Sequence, residues 1–180
     1  YKISNHQESL ISESILTGVS LVDSSKLGRV KRLEDENGRY VEYLKSSYRN
    51  KITLEGFKVV VDCANGAAYR AAPAVFEELG AEVIAINTNP NGFNINKECG
   101  STSPSGLCSK VIESRADIGI ALDGDADRLI LCDEKGKIVD GDQLIAMIAV
   151  RWFEKGKLNN QSVVTTVMSN LGLDLYLKKK

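Results

Sequence analysis

Apolar positions along the chain fall into two recurring patterns. Short apolar runs, Val59, Val60 and Val61, then "EVIAI" at 82–86, then the stretch opening "DIGIAL" ahead of the aspartates, are each bounded by polar or glycine-bearing loops and predict strands. Because those runs do not alternate with polar residues, they predict a sheet covered on both faces. Between the first two, "AYRAAPAVFEELG" carries helical periodicity and stops at Gly80. Before the third, "SPSGLCSKVIESRA" puts Leu107, Val111 and Ile112 on one side of a second helix. Strand, helix, strand is the parallel crossover unit, so the fold class is α/β.

Beyond the third strand, "DRLILCD" predicts another, followed by a turn at "DEKGK", a short strand, and a helix from about Asp142 to Glu154. "SVVTTVM" at 162–168 predicts a further strand. The break near "VDGDQ" predicts a boundary, with a compact domain over 51–140 and the start of a second similar one over 141–180. Upstream, Leu10, Ile11, Ser14 and Ile15 predict a helix over 7–17 closing at Gly18. The polar passage that follows predicts a linker or connecting arm over 26–50. No internal repeat has a fixed period. The start at Tyr1 and the stop on "YLKKK" predict a segment of a longer protein.

Composition narrows the partners. Hydrophobic residues at 43% and charged residues at 26% suit a globular protein with a sizeable core. Twenty-three Lys and Arg against 24 Asp and Glu leave a net charge of -1, which offers no basic field to nucleic acid. No apolar run reaches the roughly 20 residues of a membrane span, and the start lacks a signal pattern, so a cytoplasmic location is expected. Cys63, Cys99, Cys108 and Cys132 are widely spaced, with no CxxC pair and His6 as the one imidazole. That excludes a usual zinc site and predicts reduced thiols.

The candidate chemistry lies in "LDGDADR". Asp123, Asp125 and Asp127 recur at every second position, a spacing that cannot converge on a helix but can on a turned loop. Three carboxylates repel unless a cation joins them, and oxygen-only ligands select a hard ion, Mg²⁺ or Ca²⁺. An EF-hand fails: with Asp123 as position 1, the required glycine at position 6 is Arg128, and both flanks predict strands. Arg128 has two readings. It either neutralises the loop as an ion pair or, with a metal, faces a shared phosphate.

Two other loops are weaker candidates. Asn65 and Gly66 stand in a strand-to-helix turn that could bare N–H groups to an anion, though ordinary turn chemistry explains them as well, and GxGxxG is absent. Lys97 and Ser101, in the polar "NINKECGSTS", could approach a substrate or simply be solvated.

"DGDADR" resembles the metal-binding loop of the α-D-phosphohexomutases, which move a phosphoryl group between the 1- and 6-positions of a hexose phosphate. "GRYVEYLK", "VVVDCANGAAYRAAPAVFEELGAEVI", "NPNGFNIN", "CGSTSP", "DGDQLIAMIA" and "MSNLGL" are similar, in order, to the branch that works on glucosamine phosphate. The resemblance implies a three-layer α/β/α domain with a mixed, mainly parallel sheet, the family's second domain. Residues 1–25 would close the first domain and 141–180 open the third. It implies an intramolecular phosphotransferase of the isomerase class, interconverting glucosamine 6- and 1-phosphates through a phosphoserine and a bisphosphate, for UDP-N-acetylglucosamine and cell-wall precursor synthesis. A hexose bisphosphate would activate the enzyme. Asp123, Asp125 and Asp127 would hold Mg²⁺, and Arg128 would contact the phosphoserine.

The serine loop, the sugar-selecting loop of the third domain and the fourth domain do not occur in these residues, so the segment alone is expected to be inactive. Ser105, where the family usually has Glu, and Thr165, where it usually has Gly, depart from the pattern. A phosphomannomutase or phosphoglucomutase branch, or a non-catalytic cation- or phosphate-binding module, are the alternatives.

Overall fold

The structure, a computed structural model, describes residues 2–32, 35–47 and 53–180. Two compact units divide at Glu34 and Asp35. The first holds helix α1 (Asn5–Thr17) and a 3₁₀ turn at Ser24–Lys26. A capping box starts α1: Gln7 N–H donates to Ser4 Oγ at 3.3 Å and Ser4 N–H donates to Gln7 Oε1 at 3.1 Å. None of its residues is buried, so local hydrogen bonding rather than packing defines it.

The second unit opens with α2 (Glu36–Ser47) and continues with β1 (Lys58–Asp62), α3 (Ala71–Glu78), β2 (Glu82–Ile86), α4 (Ser105–Ser114) and β3 (Ile118–Leu122). β4 (Leu129–Asp133), β5 (Ile138–Val139), α5 (Gly141–Glu154) and α6 (Leu171–Leu177) complete it. The sheet order is β2-β1-β3-β4-β5. β1 pairs in parallel with β2 and β3, while β4 is antiparallel to both its neighbours. Four strands therefore run one way and β4 the other, the mixed, mainly parallel sheet of the expected α/β class.

β1 shows why an unbroken apolar run belongs at the centre. Val60 points into a cluster with Leu107, Val111, Ala121 and Cys132 under α4, while Val59, Val61 and Cys63 face Tyr69, Ala72 and Phe76 of the α3 side. Each buried valine contributes roughly 1.5–3 kcal/mol. A glycine lets α4 sit close: a Cβ on Gly119 would come within 2.6 Å of Val111 Cγ2 and 2.8 Å of Cys132 Sγ.

Two expectations change. Residues 36–47, inside the expected connecting arm, form α2, which buries Val41 and joins Lys45 to Glu78 of α3. The 50/51 limit of that arm lies outside the described residues. Residues 162–168 form no strand: Ser162 is extended, but among the described residues nothing pairs with the segment, and a β-rich run without a ladder partner gains nothing from its propensity.

This topology decides where a site can lie. The chain leaves β1 towards β2 on one side and returns to β3 on the other, so the loops after β1 and β3 diverge at the carboxyl edge of neighbouring parallel strands. Ligands of open α/β sheets bind at such a switch point.

Candidate metal centre

Asp123 is the first residue beyond β3, and the next five residues reverse the chain into β4. Ala126 N–H donates to Asp123 O at 3.1 Å, and Asp123 N–H donates to Arg128 O at 3.3 Å. Ala126 takes a left-handed φ of 60°, which is what turns the loop. The turn does what the alternate spacing requires. Carboxylate oxygens of Asp123, Asp125 and Asp127 all lie within 4.8 Å of one another.

The three acids are not equivalent. Asp123 is 1% exposed, while Asp125 and Asp127 face solvent. Arg128 N–H donates to Asp123 Oδ1 at 3.0 Å, and the Arg128 guanidinium brings Nε and Nη2 each to 2.9 Å from Oδ2. These bonds, the backbone N–H foremost, hold the Asp123 carboxyl below its ordinary range. Asp127 is displaced the other way, chiefly by the charge of Asp125, with desolvation and Asp123 adding to it. Like charges crowd it, and a divalent cation would relieve that repulsion. The donor set, carboxylate oxygen throughout, fits a hard divalent ion.

Arg128 is the ion-pair partner of Asp123, and its side chain is 66% exposed. A cleft of about 460 Å³ adjoins the loop, lined by Asp125 and Ala126 with Glu36, Tyr40, Tyr69 and Arg70. The larger hollows lie between α5 and α6 and are lined by none of the three aspartates.

The remaining candidates take structural places. Asn65 N–H and Gly66 N–H are spent on Asn87 O (2.7 Å) and Cys63 O (2.8 Å), so they are not offered to an anion. Ser101 serves through its backbone, donating to Leu122 O at 2.9 Å, and Lys97 is exposed. His6 is exposed on α1. All four cysteines are free thiols, and burial, with the Asp62 charge, pushes Cys63 up to about 12. Among the described residues no helix is long and apolar enough to cross a membrane.

One residue was missed by sequence reasoning. Asp62, at the end of β1, is fully buried with both oxygens hydrogen-bonded. Its signal was an acid closing an apolar run, "VVVD", next to a turn.

Comparison with known proteins agrees over most of the chain. The family model described as phosphoglucomutase/phosphomannomutase, alpha/beta/alpha domain II, matches residues 38–136, and that for domain III matches residues 140–180. A phosphoglucosamine mutase of Mesorhizobium japonicum is 57% identical over 180 residues, and one of Parvibaculum lavamentivorans is 53% identical over 179. Each alignment covers 98% of this chain and 40% of the relative, so the chain spans about two fifths of the length of the curated relatives it matches. A crystal structure of a phosphoglucomutase/phosphomannomutase family protein from Burkholderia thailandensis shares the fold. Its TM-score is 0.63 at 24% identity, over 86% of this chain and 33% of that one.

Proposed function

Since the chain belongs to the phosphoglucomutase/phosphomannomutase family, we propose that it is the metal-holding segment of a phosphoglucosamine mutase. The full-length protein would interconvert glucosamine 6-phosphate and glucosamine 1-phosphate through an enzyme phosphoserine and a hexose bisphosphate, feeding UDP-N-acetylglucosamine synthesis. The observation that carries this reading is the convergence of three carboxylates and one exposed guanidinium on the loop after β3. The sugar assignment is supported by the names of relatives 53–57% identical across nearly the whole chain.

Within that reading, Asp123, Asp125 and Asp127 hold Mg²⁺. The bound ion supplies Lewis-acid stabilisation of charge on phosphoryl oxygens. Arg128 presents its guanidinium beside the acids and orients a phosphate by charge-assisted donation. The buried Asp123 anchors that arginine from behind, so it need not be ordered when phosphate arrives. The serine that carries the phosphoryl group, the sugar-selecting loop and the distal phosphate site belong to the remainder of the full-length protein. The segment alone is therefore a binding unit without turnover.

The test is kcat/KM of the full-length protein with Mg²⁺ and a hexose bisphosphate primer, on glucosamine 6-phosphate against glucose and mannose 6-phosphates. We expect a preference of about two orders of magnitude for the amino sugar, near 2.7 kcal/mol of transition-state discrimination. Equal or reversed preference moves the protein to the phosphoglucomutase or phosphomannomutase branch, and no turnover on any sugar leaves a cation-binding module. Arg128→Ala should lower kcat by about 10²–10³ while Mg²⁺ binding persists. A loss of metal binding equal to that of Asp125→Ala would instead make Arg128 a part of the loop's architecture.

A further inference from the structure

Asp62 is a fully buried carboxyl group whose hydrogen-bond partners among the described residues are neutral N–H donors. Three N–H donors satisfy it: Oδ1 accepts from Ala64 N–H and from Asn87 Nδ2, both at 2.9 Å, and Oδ2 accepts from Gly100 N–H at 2.8 Å. Burying a carboxyl group is costly even when its oxygens are hydrogen-bonded, and an apolar residue would fill the end of β1 at less expense. What the carboxylate does that an apolar residue cannot is hold two loops at once.

Those two loops end on the metal loop, on either side of Asp123. The loop after β1 reaches it through Ala67, whose N–H donates to Gly124 O at 2.8 Å. The loop after β2 reaches it through Ser101, whose N–H donates to Leu122 O at 2.9 Å. Both approaches depend on a glycine. A Cβ on Gly66 would lie 2.3 Å from Gly124 O, and one on Gly100 would lie 2.5 Å from Leu122 O. Ala64, Asn65 and Asn87 take left-handed φ values of 52°, 48° and 53°, conformations that need outside support. Asp62 supplies it directly to Ala64 and Asn87.

We propose that Asp62 is a positioning residue of the metal centre. Through Ala64 and Gly100 it fixes the two loops whose N–H groups clamp the peptide oxygens flanking Asp123, and so sets the spacing of the three acids for a divalent cation. This rests on the cation-binding reading of the acids given above, and extends it to a residue that touches neither metal nor substrate.

The test measures Mn²⁺ dissociation constants by electron paramagnetic resonance, and thermal unfolding without metal, in the full-length protein. Asp62→Asn turns one acceptor oxygen into a donor facing an N–H. It should weaken Mn²⁺ at least about tenfold, the scale found for residues that orient metal ligands. Gly66→Ala and Gly100→Ala should shift the constant the same way, and they test the clamp should Asp62→Asn not fold. Val60→Ala, in the core of the same strand, should lower Tm and leave the Mn²⁺ constant unchanged. If Asp62→Asn or both glycine variants fold and bind Mn²⁺ within twofold of wild type, Asp62 is structural only and the inference falls. If wild type itself binds no Mn²⁺ or Mg²⁺, the cation-binding reading falls first.

Discussion

Cys63 and Asp62 are adjacent at the end of β1, and the pair shows how differently two buried ionisable groups behave. Asp62 has both carboxyl oxygens held by N–H donors, whereas Cys63 has its thiol pushed up to about 12, by burial first and then by the Asp62 charge. Cys132 is raised by burial and by Cys108 in the same direction. Unfolded thiols titrate near 9, so above that pH the unfolded chain releases protons that the folded one keeps. The stability these thiols contribute is complete below about pH 9 and is lost as pH rises towards 12, at about 1.4 kcal/mol per pH unit for each fully titrating thiol. Urea midpoints at pH 8 and 10.5 should fall less steeply for Cys63→Ala than for wild type, and parallel falls would mean that Cys63 is not protected. The aspartates were readable in sequence because their whole geometry is local, six residues turning on themselves. Asp62 was not, since two of its three partners, Asn87 and Gly100, lie 25 and 38 residues away and only the fold brings them together.

Elements were readable where burial on both faces left a strong pattern. β1, β2 and β3 lie on the apolar runs, β1 extending one residue beyond Val59 and Val61 at each end, and α5 starts where Asp140 and Gln143 form a capping box. α2 was not readable: Glu36, Arg39, Glu42 and Lys45 dominate its composition, and one buried residue, Val41, is its sole fully buried anchor. The segment 162–168 misled in the opposite sense, with valines and threonines that promise a strand but lack a neighbour among the described residues. Where an element has both pattern and partners, the energy should be large. Leu107 of α4 is fully buried against Val60, Val111 and Cys132, so Leu107→Ala should cost about 3 kcal/mol by loss of transfer energy and an unfilled cavity. Denaturant unfolding with an unchanged m-value would measure it. A cost below about 1 kcal/mol would mean that α4 settles into the gap, which the tight approach at Gly119 opposes.

Taken as a whole molecule, the two ends of the second unit differ in what they bury. The sheet is covered on both faces, but α5 and α6 border open hollows of about 910 and 820 Å³ and leave Met147, Trp152, Leu171 and Leu175 in solvent. Val167 and Met168, between those helices, are 101% and 87% exposed. Apolar residues scattered singly need no cause, but a contiguous group of this kind marks a surface that something covers. Residues 140–180 match the third domain of the family, and the chain spans 40% of its relatives' length, so we take the cover to be the rest of that domain in the full-length protein. The same substitution should then have opposite effects in two settings. The 180-residue chain should enhance the fluorescence of anilinonaphthalene sulfonate, and Val167→Ser with Met168→Ser should weaken that signal with little change in stability. In the full-length protein the dye signal should be low at the start, and the double substitution should raise it and lower Tm by several degrees, because buried apolar contacts are lost. Equal dye binding by the chain and the full-length protein, with neither altered by the substitutions, would place the cover elsewhere and leave the exposed face of α5 and α6 free in the full-length protein.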